Sequence, residues 1–418
     1  MDVCVVRIMQ AIYKETMLTP LRVAKTTKFL DWSSQPSLFK NYPDFLYRYG
    51  FHEVDALRLV ELSRCITDYQ RINGKPYYRL NTPSAGNLHP LELYVQIRGI
   101  KGVISGIYHI NPKEESLVLI REIETDGIER ALGIDARFKG MIFLLSLVPF
   151  RSAWKYAERS IRYCYLDAGH QLGAIMASSQ ILGQNCRVLS EIDRACLDRW
   201  MGFASEEFSC IAVAVGEETE KSVKDLKQSL MQVPAVDYLE GELHLHVHLS
   251  NQVYADTFTL KEWPTITQSS SLYSRRSARY FLPTALSKKD SDDLMGLLSH
   301  TPEGLEIYCV VQRAEAVEPG IYHADRCISR GAYHDTVSHL MVDQRFIANA
   351  SMVMIVTAEA CSPEALMQAG AFVHQVYLAA ESKGVGATGI GAFYDNKVQT
   401  FLKTDHAILY ACAIGEVK

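Results

Sequence analysis

Asn81-Thr82-Pro83-Ser84-Ala85-Gly86-Asn87-Leu88-His89-Pro90-Leu91-Glu92-Leu93-Tyr94 is the stretch on which the reading of this chain turns. Its two prolines and a glycine exclude a regular helix or a central strand from the first half. Leu91 to Ile97 alternates into an apolar run and reads as a strand. Small residues therefore sit on a rigid turn that feeds a core strand. Ser84, Ala85 and Gly86 have so little bulk that a large flat ligand can lie against their backbone amides. A plain surface turn has the same composition, since Gly, Pro, Ser and Asn cluster in turns.

The chain of 418 residues is long enough for two or three domains. A net charge of −5 with no basic stripe argues against a nucleic-acid binder. The ten cysteines show no paired spacing, and no signal-peptide pattern opens the chain. They read as reduced thiols of a cytoplasmic protein. No apolar run reaches the ~18 residues of a membrane-spanning helix.

A helix is expected near Cys4–Met17, followed by an extended arm that wraps the domain. A second helix is expected at Glu53–Cys65. Strand Leu91–Arg98 leads to a turn at Gly106–His109, a strand at Ser116–Ile120 and a short helical stretch near Gly127–Leu132. Gly140–Pro149 reads as a buried strand, about Trp154 to Leu182 as one helix, and Phe208–Val215 as a strand ending at Gly216-Glu217. The second half repeats this order. Tyr94 precedes Tyr108 by 14 residues, as Tyr308 precedes Tyr322. Ser63 precedes Leu91 by 28, as Ser277 precedes Leu305. Ala168-Gly169 and Ala369-Gly370 stand 14 before Gly183 and Gly384, and each half ends on Gly-Glu, at Gly216-Glu217 and Gly415-Glu416. The pattern implies two copies of one α+β fold. The expected segments are an N-terminal helix and arm (1–50), a first domain (51–218), a connector (219–268) and a second domain (269–418). His244, His246 and His248 in the connector share one strand face, but a solvated edge strand explains them without a metal, and no metal site is expected.

Three further motifs carry chemistry. Arg275-Arg276-Ser277-Ala278-Arg279 offers guanidinium forks and a hydroxyl suited to a phosphate. Gly384-Val385-Gly386-Ala387-Thr388-Gly389-Ile390-Gly391 permits close backbone approach to a planar group. Trp154-Lys155-Tyr156 precedes Arg159, Arg162 and Tyr163, then Asp167-Ala168-Gly169-His170. His170 reads as a buried helix residue.

Together with the Pro83–Pro90 loop, these motifs resemble the FMN-dependent nitroreductase family, and within it the SagB-type dehydrogenases that oxidise azolines to azoles. The resemblance implies two tandem nitroreductase-like α/β sandwich domains forming an intramolecular pseudo-dimer. It implies FMN contacts at Pro83, Ser84, Ala85, Gly86 and Asn87, at Arg275, Arg276, Ser277 and Arg279, and at Gly389, Ile390 and Gly391. The family divides such contacts between two subunits. Here the first half keeps the loop, whereas the second keeps the phosphate and ring-backing motifs, so one composite FMN site per chain is expected. The resemblance assigns catalysis to Lys155 and Tyr156, and a desolvated lysine is chemically apt to take a proton from carbon. The expected substrate is an azoline-like small molecule or peptide, with a homodimer or partner biosynthetic proteins as further associations. An NAD(P)H-dependent reductase and a non-catalytic flavin-binding subunit remain open as alternatives.

Overall fold

The computed structural model describes residues 3–26, 30–72, 74–239, 268–324 and 326–418. His244, His246 and His248 lie outside the described residues. Two compact units make up the chain, Met1–Val5 with Asp31–Phe258, and Val6–Leu30 with Thr259–Lys418. Among the described residues no helix is long and apolar enough to cross a membrane.

The first unit holds strands β1 (Arg48–Gly50), β2 (Ile66–Ile72), β3 (Lys75–Leu80), β4 (Leu91–Arg98), β5 (Gly106–Asn111), β6 (Ser116–Glu122), β7 (Asp126–Gly127), β8 (Ala136–Leu147), β9 (Cys186–Leu189), β10 (Phe208–Ser222) and β11 (Lys224–Asp225). Seven of them form an antiparallel sheet in the order β1-β6-β5-β4-β8-β10-β9. Strand β4 is buried at every position, as a central strand covered on both faces must be. The helix Ser160–Ile181 packs against β4, β8 and β10. Residues Ser160–Ile175 of that helix are all buried, which matches its low amphipathicity. A cluster including Tyr94, Ile142, Leu144, Leu197 and Trp200 forms a core.

The second unit holds β12 (Glu306–Val311), β13 (Gly320–His323), β14 (Arg326–Arg330), β15 (Met352–Ala358), β16 (Gly386–Ile390) and β17 (Ala407–Gly415). Their order, β14-β13-β12-β15-β17-β16, is that of β6-β5-β4-β8-β10-β9. The register agrees as well: Tyr94 faces His109 as Tyr308 faces His323, and Val215 faces Cys186 where Ile414 faces Ala387.

Several expected elements differ. Gly106–His109 is the start of strand β5, not a turn, because Ile107, Tyr108 and Ile110 are all buried in the sheet. Strand β10 runs past Gly216-Glu217 to Ser222, so the expected boundary at 218 falls inside a strand. The second expected helix shrinks to a 3-10 turn, Asp55–Leu57, and Arg58–Ser63. The single helix from Trp154 breaks into Phe150–Tyr156 and Ser160–Ile181. The break is at Ala157, whose φ of 47° and ψ of −137° no α-helix accommodates. The expected 1–50 segment is divided between the units: the arm from Asp31 onward goes with the first, and the described residues 6–26 do not. They pack in the second unit, where Ile408 N donates to Tyr13 Oη at 2.9 Å and Leu18 N to Asp395 Oδ2 at 2.9 Å.

Candidate active site

In the first unit the loop and the Lys-Tyr pair meet. Lys155 and Tyr156 end the short helix Phe150–Tyr156; the strained turn at Ala157 then redirects the chain. They therefore lie at a helix C-terminus, opposite to the end that an unbroken helix would have given them. Gly86, at φ 64°, lies so close to them that an added Cβ would be 2.6 Å from Tyr156 Oη and 3.2 Å from Lys155 Nζ. Only a glycine fits both that dihedral and that space. Asn87 and His89 also have positive φ, 59° and 47°.

Side chains that the sequence reading passed over complete this corner. The arm does more than wrap. Lys155 Nζ sits 4.9 Å from the centroid of the Trp32 ring and 5.2 Å from that of Tyr156, so two ring faces attract the ammonium. Trp32 packs edge-on against Trp154 at 5.4 Å, and Trp154 Nε1 donates to Ser34 Oγ at 3.1 Å. Lys75 Nζ donates to the Trp32 carbonyl at 2.6 Å. Phe39 stacks on His89 of the loop at 6.0 Å. Tyr156 packs edge-on against buried Tyr163 at 4.9 Å, and Arg159 Nε donates to Tyr163 Oη at 3.0 Å. The Ser84 hydroxyl, expected to face a ligand, donates to Asp167 Oδ2 at 2.6 Å.

Beneath this corner lies a buried ionic network. Glu92 on β4 accepts from Arg151 Nη2 at 2.6 Å, from the Lys40 backbone N at 2.7 Å and pairs with His109 Nε2 at 2.9 Å. Arg151 Nη1 also donates to the His89 carbonyl at 3.2 Å. Lys40 Nζ pairs with Glu207 at 2.7 Å and bonds Tyr94 Oη at 3.1 Å. One carboxylate thus gathers the arm, the loop's exit and the helix bearing Lys155. Burial alone would raise the Glu92 pKa; the Arg151 and His109 contacts overcome it and hold the carboxylate well below its usual range. At the register-equivalent place in the second unit, the Glu306 side chain is 40% exposed, and its contacts among the described residues are longer: His323 at 3.7 Å, His406 at 3.4 Å and Tyr308 Oη, which donates to it at 3.4 Å.

In the second unit the arginine motif divides. Arg275 is buried, stacked 5.2 Å from the Tyr377 ring, and burial lowers its pKa to about 10. It lies against Tyr377 of the helix Pro363–Glu381. Ser277 Oγ is within 2.9 Å of Tyr377 Oη, which also accepts from Gly389 N at 2.5 Å. Tyr377, missed in the sequence because it reads as one more apolar helix residue, ties the two motifs together. Arg276 and Arg279 line a cavity of about 440 Å³ with Lys418, Tyr280, Gly386 and Glu381. Three cations against one carboxylate suit a phosphate. The glycine-rich stretch expected to back a planar ring also serves the packing of its own domain. A Cβ on Gly389 would meet Tyr410 Oη at 2.1 Å, one on Gly386 would meet Val417 at 2.2 Å, and Ile390 is buried in the core. These glycines make room for side chains of the domain itself. Among the described residues no group of three or more His, Cys, Asp or Glu is gathered as for a metal.

Residues 272–416 match the family model described as "Nitroreductase family". A Methanocaldococcus jannaschii protein named as a nitroreductase is 36% identical over 110 residues, 24% of this chain and 54% of that protein. The trifolitoxin-processing protein TfxB of Rhizobium leguminosarum bv. trifolii is 30% identical over 115 residues, 26% of this chain and 31% of that protein. The chain thus spans about half the length of the first and about a third of the second. A crystal structure of a nitroreductase-type protein from Anabaena variabilis superposes with a TM-score of 0.81 at 20% identity, covering 98% of this chain and 99% of that one. That likeness shows the fold. Residues 272–416 are thus similar to the nitroreductase family, and the fold is shared along the length of the chain with the Anabaena variabilis structure.

Proposed function

We propose that this protein is an FMN-dependent oxidoreductase of the SagB dehydrogenase type, a tandem duplication acting on an azoline-like small molecule or peptide. The observation that carries the reading is the contact of the Gly86 loop with Lys155 and Tyr156, which brings a ring-sized backbone platform to an acid–base pair. Arg276 and Arg279 would hold the cofactor phosphate, and Pro83–Asn87 would face its ring. Bound FMN supplies hydride acceptance. Lys155 Nζ takes the proton from the substrate carbon, and Tyr156 Oη orients the substrate or passes that proton on. Trp32, itself half-exposed, and Trp154 flank this corner. Because each unit lacks motifs that the other keeps, the proposal includes one FMN per chain. A relative named for processing a toxin supports a biosynthetic setting with partner proteins.

The test is the visible spectrum and the FMN-to-chain ratio of the purified protein, followed by a panel of thiazoline- and oxazoline-containing peptides under air. Azole formation is the expected result. The named nitroreductase relative favours a second reading, a reductase driven by NAD(P)H. Rapid bleaching of the flavin by NAD(P)H, with every azoline untouched, would establish that reading instead.

A further inference from the structure

The loop that meets Lys155 is held by a buried side chain to which the proposed chemistry gives no task. Asp167, on the helix Ser160–Ile181, is 5% exposed. Its Oδ2 is 2.6 Å from Ser84 Oγ, and its Oδ1 accepts from Ala85 N at 3.4 Å. Ser84 Oγ in turn accepts from His89 N at 3.0 Å. These contacts bracket Gly86, Asn87 and His89, all at positive φ. Non-glycine residues keep such dihedrals only where their surroundings over-determine them. We propose that Asp167 is the positioning residue that keeps the Pro83–His89 loop folded against Lys155 and Tyr156, and that it does so best as a neutral carboxyl.

As a carboxylate Asp167 accepts from both Ser84 Oγ and Ala85 N; as a neutral carboxyl it keeps both contacts with the Ser84 bond reversed, Oδ2 donating to Ser84 Oγ and Oδ1 accepting from Ala85 N. Burial raises the Asp167 pKa to about 7, against the lowering effect of the bonds from Ser84 and Ala85. Opening the loop to water returns the group to the ordinary carboxylate range. The closed loop then binds the proton more tightly than the open one. Closure is fully favoured below that ordinary range and loses stability as pH rises through about 7. Among the described residues, the ionisable groups facing Asp167 and its loop include Cys164 on the same helix, His89 on the loop, Arg151 at the loop's exit, and Lys155 and Tyr156 beside Gly86. Because a histidine, His89, lies on the same loop, Asp167 itself must be varied.

The experiment is amide hydrogen exchange on the full chain without added flavin, at pH 6 and pH 8, corrected for intrinsic rates. In the wild type, protection of residues 84–89 should fall about tenfold from pH 6 to pH 8, while strand β4 is unchanged. Asp167→Asn reproduces the donor and acceptor of a neutral carboxyl and should show the same protection at both pH values, at or above the wild-type pH 6 level. Asp167→Ala should lose it at both. An Asn variant with the wild-type pH dependence overturns the proposal, as does an Ala variant with intact β4 and a wild-type loop. Should the Ala variant not fold, the comparison of wild type with Asp167→Asn decides. FMN affinity, read by flavin fluorescence quenching under the same conditions, should follow loop protection. The proposal rests on the FMN reading only in this second measurement. A wild type that binds no FMN refutes that reading and leaves the exchange result to judge Asp167.

Discussion

In the proposed function, single residues separate cofactor binding from chemistry. Arg276 lines the cavity and Arg275 does not, so Arg276→Ala should weaken FMN more than riboflavin, which has no phosphate. Charge-assisted hydrogen bonds contribute about 1.5–3 kcal/mol, so the FMN Kd should rise about tenfold or more. Equal weakening of both ligands would place the arginine elsewhere. Lys155→Ala should leave FMN bound and slow turnover by about 10²–10⁴-fold, as loss of a positioned base does. An unchanged rate on an identified substrate would remove Lys155 from the chemistry. Gly86→Ala should displace both Lys155 and Tyr156, because the new methyl has nowhere to go at that φ. Its signature would be lost turnover in a protein that still melts cooperatively.

At the scale of elements, the short helix Phe150–Tyr156 gains its position from Arg151 and its direction from Ala157. Ala157→Gly should relieve a left-handed alanine, a strain of about 1–2 kcal/mol that the greater freedom of unfolded glycine offsets in part. A small rise in Tm is the expected outcome, and a fall would show that the turn is not strained. Arg151→Met strands the Glu92 charge in the interior and should destabilise by about 3–5 kcal/mol in denaturant titration. Since the Glu92 pKa is depressed in the folded protein, its contribution is present above the ordinary carboxylate range and is lost as pH falls below it. In the wild type, Tm should therefore drop on acidification, and in Arg151→Met that drop should be smaller.

For the molecule as a whole, the two units repeat one strand order and one register while differing in what they offer a ligand. The duplication proposal expects a saturated FMN ratio near one per chain; a ratio near two would overturn it. The N-terminal residues bind the second unit through Tyr13 and Leu18. Tyr13→Phe should therefore cost about 1 kcal/mol, and the loss should appear as faster hydrogen exchange in β17 and not in β4.

The repeat was legible in the sequence because strand register and turn spacing are local properties. Tyr94 to Tyr108 and Tyr308 to Tyr322 have equal separations since each pair spans one hairpin of the same length. Strand β4 was legible for the same reason, as an apolar run bounded by proline and arginine. The break at Ala157 was not, because neither proline nor glycine marks it and only packing holds an alanine at that φ. Nor could spacing show that Arg275 turns inward and Arg276 outward, since neighbouring side chains differ only by the environment that the fold supplies. Trp32 stands 123 residues from Lys155, Glu92 59 from Arg151, and Asp167 83 from Ser84. The composition of the loop and of the Lys155-Tyr156 pair was written in the chain, but the buried carboxylates that set one against the other were decided by tertiary structure, where desolvation makes each unpaired charge costly and each satisfied contact specific.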